Sequence, residues 1–192
     1  MYAGTMGRHS LLQDRGMASR VPKPAFTIRD AVTADLPVLV NFLTRLALHV
    51  NGGLAMQLKK SEYQRLYEVL ENALESPDKR IVVADLPGVG LIGMGDVTVW
   101  SSQSIWEQAT VAEYRSAIID DIWVEPDYRK AGIFKALLKR LVEFADERGA
   151  YDLVLEYSSS NKEAKQAWTR LGFVTTGIRA AAFTQNVKEA LK

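Results

Sequence analysis

Apolar residues recur along this chain at two spacings, and the switches between them mark its elements. Phe26–Asp30 reads as a short strand. From Leu36, the positions Leu39, Val40, Leu43, Leu46, Ala47 and Val50 follow each other at the spacing of a one-sided helix. Thr33 or Asp35 is placed to cap it, and Pro37 sits in its first turn, where a missing N–H does no harm. Asn51-Gly-Gly53 ends it. A second helix begins at Ser61, with Tyr63, Leu66, Tyr67, Leu70 and Leu74 on one face and Pro77 beyond its end.

Arg80–Asp85 then reads as a strand, Pro87–Gly90 as a hairpin turn, and Leu91–Trp100 as the return strand, softened by Gly93 and Gly95. A polar loop around Trp106 precedes a strong strand, Ser116–Val124. The next helix carries Ile133, Leu137, Leu138, Leu141 and Val142 on one side and runs to about Arg148, where Gly149 stops it. Leu153–Tyr157 is the following strand. Ser160 or Asn161 caps a helix through Arg170, and Gly172 leads to Phe173–Thr176. Ala180–Gln185 reads as a final strand, with Val187–Lys192 as a short tail.

The order is β-α-α-β-β-β-α-β-α-β. Its hairpin predicts an antiparallel half. Its middle β-α-β unit predicts two parallel strands joined by a right-handed crossover. The expected fold class is therefore α/β, a mixed sheet with helices on both faces. Residues 26–192 are expected to form a single domain, preceded by a disordered leader or extension at 1–25.

The junction between Val124 and Leu138 is the most informative stretch. Pro126 stops a strand, since it cannot donate to a ladder. Arg129, Lys130, Ala131 and Gly132 make a basic turn, and a helix opens at Ile133 and Phe134. The first N–H groups of a helix lack intrahelical partners and sit at the positive end of its dipole. Gly132 lets a ligand approach the backbone without a Cβ in the way. Such a junction is suited to an anion. Lys130 is either a phosphate partner or a solvated loop charge. The turn has neither the Gly-Lys-Ser/Thr of a P-loop nor the three glycines of a dinucleotide fold.

Composition narrows the class. The 192 residues suffice for one core of ordinary size. No apolar run approaches the ~20 residues of a membrane helix, so no membrane partner is expected. The net charge of +1 gives no sign of a nucleic-acid surface. The basic excess lies in residues 1–25, where Arg8, Arg15, Arg20 and Lys23 face only Asp14. That leader has no long apolar core and does not read as a secretory signal. The chain has no cysteine, hence no disulfide, thiolate metal site or cysteine nucleophile. This suits a reducing compartment, with cytoplasmic location the expectation. His9 and His49 are far apart in sequence, and no metal is expected.

Four segments resemble the GNAT family of N-acetyltransferases. Arg129-Lys-Ala-Gly132 is similar to the first part of its pyrophosphate pattern, Arg/Gln-x-x-Gly-x-Gly/Ala, although Phe134 stands where the family usually has a small residue. Asp121–Arg129 resembles the strand leading into that loop. Asn161–Phe173, with its Leu-Gly-Phe exit, resembles the family's later helix, and Phe26–Asp35 its opening strand. Together these span about residues 26–185. The resemblance implies a fold whose fourth and fifth strands splay to admit acetyl-coenzyme A. It implies transfer of an acetyl group from that co-substrate to a primary amine of a small molecule or peptide. The alternative is a weak or inactive acyl-coenzyme A binder of the same fold, acting as a sensor or scaffold. A homodimer stays open as an assembly state.

On this reading Arg129, Lys130, Ala131, Gly132, Ile133 and Phe134 hold the pyrophosphate, and the backbone of Ile122, Trp123 and Val124 pairs with the pantetheine arm. Asn161 either holds that arm or orders the helix start. Phe134 is tolerable if its side chain faces the core, since N–H donation does not depend on side-chain type. Acetylating an amine requires removal of a proton, so carboxylates near the thioester are candidates. Asp120 and Asp121 lie on one strand, where alternation predicts opposite faces. They serve as a base or attract a cationic amine. Glu156, five residues before Asn161, resembles the general-base glutamate of the ribosomal-protein N-terminal acetyltransferases; many members carry a glutamate there with no assigned role. Where the family often has a tyrosine as general acid, this chain has Trp168, whose indole is no acid at neutral pH. Trp168 is left to pack against or hydrogen-bond the sulfur, while Tyr157 or Ser158–Ser160 stand as substitutes, the serines equally as helix caps. Trp100, Trp106, Tyr63 and Tyr67 line either the acceptor side or the core.

Overall fold

The computed structural model describes residues 25–50, 58–101, 115–177 and 182–192. The expectations for the leader, for the Asn51-Gly-Gly53 turn and for Trp106 lie outside these residues. Five strands form one sheet in the order β1-β2-β3-β4-β5. They are β1 (Thr27–Asp30), β2 (Lys79–Leu86), β3 (Gly90–Ser101), β4 (Arg115–Val124) and β5 (Asp152–Leu155). The first four pair antiparallel, and β4 and β5 pair parallel. The helices are α1 (Leu36–Val50), α2 (Lys60–Glu75), α3 (Ile133–Glu147), α4 (Lys162–Arg170) and α5 (Thr184–Ala190).

The central strands are apolar on both sides because both faces are covered. Along β2, Ile81 and Val83 turn toward α1 and α2, where Leu36, Leu39, Val40, Phe42 and Leu70 close one core. Val82 and Ala84 turn the other way, toward Ile133, Leu137, Leu141 and Phe144 of α3. The period of two seen within Ile81–Ala84 is thus a partition between two cores. Gly93 and Gly95 on β3 are set by close neighbours, the β4 backbone at the first and α3 at the second. A Cβ at Gly93 would lie 2.9 Å from the Trp123 carbonyl oxygen, and one at Gly95 3.0 Å from Leu141 Cδ1. The first contact, with backbone, admits no side chain; the second would require Leu141 to move by a few tenths of an ångström.

An ion cluster fastens the start of the domain. Arg29 on β1 grips both carboxylate oxygens of Asp35, at 2.7 and 3.0 Å, and its Nε donates to Asp85 Oδ2 at 3.1 Å. The Val32 amide also donates to Asp35 Oδ2, at 2.9 Å. Asp35 therefore anchors the short 3-10 turn Thr33–Asp35 from its third position rather than capping from its first.

Two expectations fail at the C-terminal end. Residues 173–177 form no strand, and in place of a strand reaching Gln185 the chain turns helical at Thr184. Phe183, Val187 and Leu191 recur every four residues, a helical spacing, although all three side chains are exposed. Strand β5 also ends at Leu155, leaving Glu156 and Tyr157 in the irregular segment that follows.

Candidate active site

The sheet opens halfway along β4. Its pairing with β5 runs from Ser116 opposite Asp152 to Ile119 opposite Leu155 and stops there. On its other side β4 continues beside β3, through Ile122 opposite Gly95, Trp123 opposite Met94 and Val124 opposite Gly93. From Asp120 onward the outer edge of β4 has therefore parted from β5. This is the expected splay, and Ile122–Val124 line it with backbone.

A β-bulge stands at the parting. Gly95 pairs with Ile122 and Val97 with Ile119, so Asp96 alone faces the two residues Asp120 and Asp121. The bulge breaks the alternation of faces. Ile119 and Ile122 both pack against the α3 core although they are an odd three positions apart, while Trp123 belongs to the α1/α2 core. Asp120 and Asp121 are thereby both turned to the α1/α2 face. The expectation of opposite faces was wrong because it assumed an unbroken period of two.

Asp96 belongs to the same face and had not been singled out as a candidate. Its Oδ1 accepts a hydrogen bond of 2.9 Å from the Asp121 amide. Burial, then the negative charges of Asp121 and Asp120, push its carboxyl up to about 8, against the pull of that hydrogen bond and of Lys79. It is therefore mainly protonated at neutral pH. Burial also raises Asp121, with Asp120 adding to the effect. Asp120 is raised by burial first and by Glu156 in smaller part; Lys79 and a hydrogen bond with the Thr98 side chain oppose this. The four carboxyl groups thus form one electrostatic neighbourhood, with Glu156 at its exposed margin. Among the described residues, no group of His, Cys, Asp or Glu is placed to hold a metal ion.

The basic turn lies at the end of the same strand. After Glu125, a 3-10 turn at Pro126–Tyr128 leads to Arg129. Lys130 has φ 65° and Gly132 φ 94°, and Gly132 is the N-cap of α3. The first i→i−4 bond of α3 runs from the Ala136 amide to the Gly132 carbonyl at 3.1 Å. The amides of Ile133, Phe134 and Lys135 precede it and lack an intrahelical acceptor. A Cβ on Gly132 would meet nothing within 4 Å, so the space beside this N-cap is open. Free donors, a helix N-terminus and open space fit a phosphate. Arg129 sits beside them, its Nε donating to the Val124 carbonyl at 3.2 Å. Lys130 is exposed.

Phe134 turns inward, meeting Trp168 edge-on at 5.3 Å between ring centroids, and Trp168 meets Phe173 in the same way at 5.3 Å. Trp168 is only 9 % exposed and belongs to the α3 core. Its ring is thus packed between two aromatics. Asn161 is the N-cap of α4, its Oδ1 accepting from the Ala164 amide at 3.0 Å, and Ser158 and Ser160 hydrogen-bond each other at 2.7 Å. Of the aromatics, Tyr67 packs on the α1/α2 core, whereas Tyr63 is exposed and Trp100 partly so. His49, in the last turn of α1, lies edge-on to Trp123 with centroids 6.1 Å apart.

Comparison with known proteins agrees with this geometry. The model of the acetyltransferase (GNAT) family matches residues 53–173. A streptothricin acetyltransferase of Streptomyces lavendulae is 34% identical over 115 residues, 60% of this chain and 55% of that protein. The [ribosomal protein bS18]-alanine N-acetyltransferase of Escherichia coli is 38% identical over 63 residues, 33% of this chain and 43% of that one. The matched region thus spans about half the length of these curated relatives. A predicted acetyltransferase of Clostridium acetobutylicum, solved with acetyl-CoA, superposes with a TM-score of 0.68 at 20% identity, covering 84% of this chain and 98% of that one. Fold, splayed site and family match coincide on the same residues, and the chain belongs to the GNAT family of acetyltransferases.

Proposed function

We propose that this chain is an acetyl-coenzyme A-dependent N-acetyltransferase acting on a cationic primary amine of a small molecule or peptide. The observation that carries this is the bulge. It sets Asp120 and Asp121 side by side on one face, at the point where the edge of β4 becomes free. The related proteins named above support an amine acceptor, as does a thialysine N-epsilon-acetyltransferase of Bos taurus, 28% identical over 128 residues.

The amides opening α3, the open space beside Gly132 and the Arg129 guanidinium are suited to the pyrophosphate of the coenzyme. The outer edge of Ile122–Val124 is suited to its pantetheine amides. When bound, the coenzyme supplies an activated acyl carbon and a thiolate leaving group. Approximation on such a frame accounts for much of the rate, about 7–11 kcal/mol in ideal cases.

The carboxylates govern the acceptor. An alkyl ammonium is mostly protonated at neutral pH. The negative neighbourhood of Asp120, Asp121 and Glu156 attracts that cation. We assign proton removal to Asp121. Burial and the neighbouring charge of Asp120 raise its basicity, whereas Asp120 is held by Thr98 and Lys79. One ammonium proton passes to Asp121 and then to solvent, which frees the amine to attack; as the C–N bond forms and the C–S bond breaks, the second proton leaves the nitrogen for the departing thiolate, giving the amide and the free thiol. We read the reaction as direct transfer from the thioester to the amine, in the cytoplasm.

Thiol release from acetyl-coenzyme A, screened over polyamines, aminoglycosides, lysine analogues and peptide amino termini, tests this. At least one cationic amine is expected to accelerate release, and Asp121→Asn to abolish the acceleration. Tight coenzyme binding with no release over the whole panel would make the chain a non-transferring binder and overturn the reading.

A further inference from the structure

Resting on that reading, we propose that Asp96 is a positioning residue of the acceptor step: through the Asp121 amide it holds the β4 bulge that turns Asp120 and Asp121 onto one face. A bulge costs its strand a ladder position and leaves one residue unpaired across the sheet. Here the backbone N–H of Asp121 is not left over. It donates to the Asp96 side chain, from the one β3 residue that stands opposite the two-residue bulge. A side chain thus replaces the missing backbone acceptor. Without it the Asp121 amide is an unsatisfied donor, which a unit-register strand would satisfy by slipping back to regular pairing. That slip would return Asp120 and Asp121 to opposite faces.

The choice of residue at this place needs explanation. A carboxyl beside two other carboxyls is an unfavourable neighbour, and among the described residues Lys79 on β2 is the charge that opposes them. Held as the acid, the group keeps a carbonyl oxygen to accept the Asp121 amide. Asparagine offers the same carbonyl and a donor in nearly the same shape. Alanine and valine offer neither, and valine suits a strand.

The experiment uses Asp96→Asn, Asp96→Ala and Asp96→Val in the full chain. It reads kcat, the KM for acetyl-coenzyme A and hydrogen exchange of the Asp121 amide. Asp96→Asn is expected to keep kcat within about threefold, with Asp121 still protected. Whichever of Asp96→Ala and Asp96→Val folds is expected to lose about 10–100-fold in kcat with coenzyme KM unchanged, and Asp121 exchange is expected to speed at least tenfold. Asp96→Asn falling as far as the other variants would make Asp96 a proton-transfer group and overturn the positioning role, as would normal turnover and protection in the alanine or valine variant. If the wild-type chain transfers to no amine, the functional reading fails. The Asp121 exchange rates in the variants then still decide whether Asp96 holds the bulge.

Discussion

Arg129 lies over the ring of Trp123, its guanidinium carbon 5.3 Å from the ring centroid, and donates its Nε to the carbonyl of the next residue, Val124. The loop arginine is thereby fixed to the end of β4 instead of extending into solvent. Trp123 is held in turn against His49 of α1, and Arg45 of α1 pairs with Glu125 at 2.5 Å. One contact set joins α1, the strand end and the anion turn. The guanidinium offers further N–H groups beyond Nε. Arg129→Ala is expected to weaken coenzyme binding by about 1.5–3 kcal/mol through loss of a charge-assisted phosphate bond. Calorimetry returning wild-type affinity would place the anion away from this side chain.

Gly132→Ala separates two roles of one glycine. With φ at 94°, any L residue is strained there, and a cost of about 1–3 kcal/mol in denaturant stability is expected. The added Cβ meets no protein atom within 4 Å, so clash within the domain contributes nothing. If the space over the helix N-terminus is where the pyrophosphate sits, coenzyme affinity falls as well. A variant with lowered stability and unchanged affinity would show that the space is not the ligand's.

Asp96 makes stability depend on pH in an unusual direction. Its carboxyl titrates at about 8 when folded and near 3.8 when unfolded. Between those values the folded chain keeps a proton that the unfolded chain has released. Stability from this group is therefore full below about pH 4 and declines as pH rises toward 8, by up to roughly 1.4 kcal/mol per unit. Asp96→Asn is expected to be more stable than wild type at pH 8 and to lose that advantage at pH 4. Denaturant titrations at the two pH values measure this; equal differences at both would mean that Asp96 is ionised throughout.

Asp35 runs the opposite way. The hydrogen bonds from Arg29 hold its carboxyl below the usual range, and the Val32 amide adds to this. Its contribution is present above the ordinary carboxylate range and is lost as pH falls through the lowered value. Asp35→Asn is expected to cost about 1–3 kcal/mol at pH 7, because it weakens charge-assisted bonds and leaves Arg29 with less compensation. The cost is expected to shrink in acid. A variant as stable as wild type at pH 7 would show that the cluster fixes geometry without adding stability.

The parts of this fold legible in the sequence were those where one side chain reports one environment. Ile133, Leu137, Leu138 and Leu141 face the core that their spacing predicted, while Val142, placed on the same side, is exposed. The basic turn was legible because Pro126, Gly132 and the helix start are local signals. Asp96 was not, because its meaning depends on pairing. A bulge is a relation between two strands, and nothing within Gly95-Asp96-Val97 marks it. The same holds for Glu156, one residue past the end of β5 on a strand that propensity carried two residues too far, to Tyr157. At the C-terminus, Ala180–Gln185 has the apolar density of a strand. The spacing of Phe183, Val187 and Leu191, which suits a helix, lay across the boundary drawn there.

The chemical step separates Asp121 from Trp168. Proton removal is required of some group, since the acceptor arrives as an ammonium. Among the described residues Asp121 stands at the opening of the sheet, raised by burial and by Asp120. Asp121→Asn keeps the backbone amide that Asp96 accepts, so the bulge is expected to survive while the base is lost. Turnover should fall by about 10²–10⁴, with coenzyme affinity nearly unchanged. Asp120→Asn should fall less at saturating amine and raise the amine KM, because Asp120 acts as charge. Trp168 is packed between Phe134 and Phe173, and its indole N–H is no acid at neutral pH. Trp168→Phe should therefore cost stability, through lost packing in the α3 core, far more than turnover per folded molecule. Steady-state kinetics on the three variants, with pH profiles, distinguish these outcomes. If Asp121→Asn retains turnover and its pH dependence, the proton leaves through water and the chain catalyses by approximation.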